Sequence, residues 1–194
     1  KYRAELEAQG VQLDLAAFVP PRVPDDKNFA MTPFLAPLTD FNPPGTGQGH
    51  WRDTNGFQRA TGFRLADQNR WPPEMDRLYW HIGGRTDLAT WVEYYGESTN
   101  SPLPEVVGGA AETTLLALTK YSSVLEELRQ ASGRSFARFN LKYDAKNPAG
   151  ILLPHCAVIR NCAQILDLRA VANLSLDRSD AAMKDLQLMF YLSD

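Results

Sequence analysis

The stretch LPHCAVIRNCAQILDLRAVANLSLDRSDAAMKDLQLMFYL, residues 153–192, decides the fold class. Pro154 suits the first turn of a helix, where its missing N–H is not needed and its fixed φ is already helical. Beyond it Ile159, Cys162, Ala163, Leu166, Ala170 and Leu174 recur at helical spacing, with Arg160, Gln164 and Asp167 on the opposite face. LDRS turns the chain. Ser179 and Asp180 cap a second helix in which Ala182, Leu186, Met189 and Phe190 form the apolar stripe. Two amphipathic helices with small residues where they cross predict an antiparallel hairpin.

Working upstream, the same periodicity continues. Thr114, Leu118, Tyr121, Leu125 and Leu128 predict one helix of about five turns, the longest in the chain, stopped at Ser132 and Gly133. TDLATWVEYYG predicts a short helix with Thr86 as N-cap, Gly96 as stop and Leu88, Trp91, Val92 and Tyr95 on one face. Prolines mark where this regime ends, because eleven of the 13 occur by residue 104. The chain therefore divides into an appendage, residues 1–50, and a helical domain, residues 51–194. Within that domain 51–100 is aromatic-rich and 105–194 is the helical hairpin region.

The appendage begins as a charged helical stub, Tyr2 to Gln9, closed by Gly10. FVPPRVPDDKNFAMTPFLAPL, residues 18–38, follows, with five prolines among large apolar residues. Each proline fixes its own φ and biases its predecessor toward extended geometry, which predicts an extended strap. Phe29, Phe34, Leu35 and Leu38 need cover, and burying each would contribute roughly 1.5 to 3 kcal/mol, so the strap is expected to lie over the helical body. FNPPGTGQGHW, residues 41–51, reads as an exposed, mobile Gly/Pro loop.

Twenty basic and 23 acidic residues give a net charge of −3, which leaves no broad basic field for a nucleic acid backbone. No run of apolar residues in the sequence is long enough to span a bilayer. Cys156 and Cys162, six apart in one helix, fall on different faces and read as small buried thiols.

Residues with chemical potential are scattered. His50, His81 and His155 sit in no zinc or haem spacing, and His155 with Cys162 offers only two ligands, so neither metal nor cofactor is expected. HIGGRTD sets two glycines and Arg85 before a helix, a geometry that can bind an anion. Trp51, Trp71, Tyr79 and Trp80, with Phe57, stand among Asn, Asp, Gln and Arg, a mixture that suits a sugar or peptide ligand and equally suits core filling. A catalytic reading of that half would use Asp53, Glu74 and Asp76 as acid and base. No nucleophile elbow or phosphate-binding loop occurs.

Residues 153–192 resemble a tetratricopeptide-like hairpin, in which small residues let paired helices approach closely. Continuation into an array would leave Leu188 or Leu192 uncovered. PPRVPDDKNFAMTP and LPHCAVIRNCAQILDLRA, residues 20–33 and 153–170, resemble elements of uncharacterised bacterial membrane-anchored proteins. That resemblance implies an extracytoplasmic location and an anchor outside the chain, in keeping with a start at Lys1 and a stop after the apolar run Leu186 to Leu192 that read as cuts in a longer protein. The function expected is a non-enzymatic interaction or scaffold module for a protein partner or cell-envelope component, with self-association left open. The alternative is a glycan- or peptide-binding domain, or a hydrolase, using residues 51–91.

Overall fold

A computed structural model describes residues 2–42, 50–65, 73, 86–97, 108–141, 143 and 150–194. The described residues form seven α-helices: α1 (Tyr2–Ala8), α2 (Thr54–Thr61), α3 (Leu88–Gly96), α4 (Ala110–Leu118), α5 (Ser122–Ala131), α6 (Pro154–Leu174) and α7 (Ser179–Ser193). A two-residue antiparallel ladder joins β1 (Phe41–Asn42) to β2 (His50–Trp51). The protein is thus mostly helical, with a C-terminal helical pair and an irregular proline-rich N-terminal region, as the sequence implies. The Gly/Pro loop expected between the two strands, 43–49, lies outside the described residues.

The longest described helix is α6, with 21 residues, and not the segment around Leu118. There the expected single helix is divided into α4, a 3-10 turn at Thr119–Tyr121, and α5. Leu118 opens to φ −83°, ψ −5°, and the Thr119 hydroxyl donates to the Leu115 carbonyl at 3.1 Å, a back-bond that bends helices. The apolar period survives because the turn keeps Leu118, Tyr121, Leu125 and Leu128 all buried. In α3 the N-cap is Asp87 instead of Thr86, since its carboxylate accepts from the Ala89 N–H at 2.9 Å and from the Thr90 hydroxyl at 3.1 Å. Gly96 closes the last turn of α3 without leaving helical geometry, and Glu97 is the C-cap.

Along its length α6 packs on α7, and it also meets α4 and α2. Contact on two sides explains why Val158, Ile165, Leu168 and Ala172 are buried beside the expected Cys162, Leu166 and Ala170, while Leu174 is exposed. The buried face of α7 is turned relative to the expected one. Ala182, Asp185 and Leu188 point inward, Leu192 packs partly buried on the core, and Phe190 is 66% exposed. A carboxylate decides this. Asp185, 1% exposed, accepts from Arg129 Nη2 of α5 at 3.0 Å and from Arg169 Nε of α6 at 3.3 Å. Burial raises the Asp185 pKa above the ordinary aspartate value, and the two arginines pull it only part of the way back.

The strap is ordered and packed, but it is not extended. Three 3-10 turns, Asp25–Lys27, Phe29–Met31 and Ala36–Leu38, fold it. An extended chain alternates sides at every residue, whereas turning brings Phe34, Leu35 and Leu38 to the same side, where all three are buried. Thr32 before Pro33 keeps the expected extended geometry at φ −64°, ψ 149°. Burial starts only at Asn28, for Phe18 is exposed and Val23 half-buried. Phe29 meets Tyr191 of α7 edge-on at 5.0 Å, and Phe34 meets Phe63, which in turn meets Tyr121, each at 4.9 Å.

Hydrogen bonds fix the register of the strap against the segment following α5. Asn28 Nδ2 donates to the Arg138 carbonyl and Oδ1 accepts from the Arg138 N–H, both at 2.8 Å. Phe29 N–H donates to the Phe136 carbonyl at 2.6 Å, Phe136 N–H to the Lys27 carbonyl at 3.1 Å, and Arg134 Nη1 to the Asn28 carbonyl at 2.9 Å. Glu127 of α5 accepts from the Phe34 N–H at 2.8 Å.

Phe34→Ala is expected to cost about 3 to 5 kcal/mol, the range for a buried phenylalanine, read as a lowered denaturation midpoint. A loss below about 1 kcal/mol would show that the strap is not part of the cooperative core. Asp185→Ala leaves two arginine head groups facing a buried gap and is expected to cost about 3 kcal/mol by urea titration; an unchanged midpoint would remove the carboxylate from the account of how α7 is oriented.

Candidate functional site

Two cavities adjoin where the strap ends. The first, of about 260 Å³, is walled by Leu38 and Thr39, by Phe41 and Trp51 of the ladder, by Asn140 and Leu141, and by Gly150, Ile151, Leu152 and Pro154 at the start of α6. Its walls are mainly apolar. The second, of about 600 Å³, is lined by strap residues Arg22, Val23, Asp25, Asn28, Met31, Pro33, Ala36 and Pro37 together with Asp40, Asp53, Arg138 and Asn140. Thr39 and Asn140 belong to both linings, so the cavities form one groove with an apolar end and a polar end.

Local structure explains how each wall is held. The ladder pairs Phe41 with Trp51 and Asn42 with His50. Trp51 stacks on Phe57 of α2 at 4.1 Å and 13°, and meets Phe41 edge-on at 5.0 Å. Arg52 fastens the corner, donating from Nε to Asn42 Oδ1 at 2.6 Å and lying 3.5 Å from Asp40. On the far side Arg138 Nε donates to the Pro20 carbonyl at 3.0 Å, tying the strap's beginning to the groove floor.

Of the residues singled out from the sequence, Trp51 is a wall of the apolar cavity and Asp53 lines the polar one. Trp71, Tyr79, Trp80, Arg85, Glu74, Asp76 and His81 lie outside the described residues. Asp53 is the N-cap of α2: its Oδ1 accepts from the Gly56 N–H at 2.8 Å. A side chain at Gly56 would collide with that carboxylate and with the Pro37 ring, since a Cβ there would come within 2.2 Å of Asp53 Oδ2 and 2.7 Å of Pro37 Cγ. His50 is exposed on the ladder, with Nε2 3.4 Å from Asn42 Nδ2. His155 stacks on Phe139 at 4.0 Å and 17°, and partial burial lowers its pKa below the ordinary histidine value.

The sequence reading did not find the segment Arg138–Leu141, Ile151 or Thr39. Nothing in their local pattern marks them, since they line a groove only because the strap crosses them. Among the described residues no three His, Cys, Asp or Glu side chains converge in a way that could hold a metal ion.

The cysteines differ from the expectation of two buried thiols. Cys162 is buried and burial pushes its pKa up to about 12, but Cys156 is exposed on the first turn of α6, with Sγ 3.6 Å from His155 Nε2. Near neutral pH a thiol reagent should therefore titrate one equivalent promptly, and Cys156→Ser should abolish it, because the reactive species is an accessible thiolate. Prompt modification of Cys162 in the folded protein would contradict its burial. No protein-family model, no curated protein and no solved structure matches the chain.

Proposed function

We propose that the protein is a non-enzymatic interaction module that holds an extended segment of a partner protein in the groove at the end of the strap. The observation that carries this reading is the junction of an apolar cavity of about 260 Å³ with a polar one of about 600 Å³ across Thr39 and Asn140. Such a junction suits a ligand that buries one apolar group and keeps hydrogen-bonding groups alongside it. Of the described candidates for acid-base work, Asp53 caps a helix, His155 is stacked on an aromatic ring, and His50 is exposed on the ladder and lines neither cavity. A sugar platform would need the indole flat and open, and Trp51 already gives one face to Phe57. On the resemblance of residues 20–33 and 153–170 to membrane-anchored bacterial proteins, the proposal assigns this module to an extracytoplasmic, membrane-tethered protein. No helix among the described residues is itself long and apolar enough to cross a membrane.

Peptides selected from a displayed random library against the folded protein provide the test. Trp51→Ala and Ile151→Asp are each expected to weaken the selected peptides by about tenfold or more, whereas Phe18→Ala, on the exposed part of the strap, leaves binding unchanged. Selected peptides whose affinity is indifferent to both groove variants would refute the reading.

A further inference from the structure

Resting on the groove as a partner-binding site, we infer that the segment it holds carries one large apolar side chain followed closely by lysine or arginine. The apolar half of this inference comes from size and lining. About 150 Å³ of apolar space suffices for benzene, so a cavity of about 260 Å³ walled by Leu38, Phe41, Trp51 and Ile151 has room for an aromatic or long aliphatic side chain.

The charged half comes from what stands beside that cavity. Asp40 lies in the chain between Thr39 and Phe41, and Asp53 lies two residues beyond Trp51; these three neighbours line the apolar cavity while both carboxylates line the adjoining one. The polar cavity thus presents two acids at its junction with the apolar cavity. Two arginines, Arg22 and Arg138, share that lining with three carboxylates, Asp25, Asp40 and Asp53, so acids outnumber bases there. Arg138 directs Nε to the Pro20 carbonyl, and Arg52 donates to Asn42 Oδ1 at 2.6 Å while standing 3.5 Å from Asp40. A cation arriving one or two residues after the anchor would meet Asp40, whose ion pair with Arg52 is long and exposed, and Asp53, which gives one oxygen to the helix cap, and an extended peptide advances about 3.3 Å per residue, enough to pass from one cavity to its neighbour.

Three labelled nonapeptides test this by fluorescence anisotropy at low salt, with amide shifts of the protein locating the site. One carries tryptophan followed by Lys-Arg, the second has Glu-Glu in place of Lys-Arg, and the third has alanine in place of tryptophan. The basic tryptophan peptide should bind at least about tenfold more tightly than the acidic one and lose affinity when tryptophan is replaced. Asp40→Asn with Asp53→Asn should erase the preference for the basic peptide, and asparagine retains the helix cap. Equal or tighter binding of the acidic peptide, with tryptophan still required, would overturn the charge inference and leave the groove reading standing. If none of the three shifts the amides around Trp51 and Ile151 at millimolar concentration, or if those amides shift only as the protein self-associates, this inference and the peptide-groove reading both fall.

Discussion

The fold depends on one side-chain amide. Asn28, buried in the strap, both donates to and accepts from the backbone of Arg138, so it occupies the position of a strand neighbour. An amide serves here because it has a donor and an acceptor on one planar group; a carboxylate would lack the donor and a hydroxyl the reach. The flanking backbone bonds of Lys27 and Phe29 to Phe136 then align the chains in parallel, and the isolated bridge between Asn28 and Phe136 records that alignment. Once Asn28 is placed, the next ten residues must deliver Phe29, Phe34, Leu35 and Leu38 to the helical body, and the 3-10 turns at Phe29–Met31 and Ala36–Leu38 do so.

A second constraint lies across the helices. Arg129 and Arg169 converge on Asp185, joining α5, α6 and α7 at one buried point. Such an arrangement is not a simple source of stability, because removing a carboxylate from water can cost more than the arginines return, and the Asp185 pKa stays raised by burial despite both arginines. Its structural effect is rotational. With Asp185 held inward, the stripe of Met183 and Phe190 turns toward solvent and Leu188 toward the core.

The groove follows from the first of these constraints. The strap supplies Leu38 and Thr39, the ladder supplies Phe41 and Trp51, and the segment following α5, pinned by Asn28, supplies Asn140 and Leu141. Residues far apart in sequence are brought to one place by an element that has little regular structure of its own. Aromatic contacts hold the wall in place, since Trp51 stacks on Phe57 and meets Phe41 edge-on.

The sequence by itself determined the helical class, the C-terminal hairpin and the burial of Phe29 and Phe34, because apolar period and helix-starting residues act locally and sum over many positions. Pro154 opened its helix as proline at a first turn should. Tertiary structure alone decided the rest. Whether Asp87 or Thr86 caps α3, whether the helix around Leu118 bends, and which face of α7 turns inward were settled by contacts with distant groups or by small backbone differences that a one-dimensional pattern does not distinguish. Trp51 was legible as a notable residue, yet its place in a cavity was not, because a cavity is the space left between elements and has no residues of its own. Asn28 and Asp185 look like ordinary surface residues in sequence; their partners, Arg138, Arg129 and Arg169, are supplied only when the chain has folded.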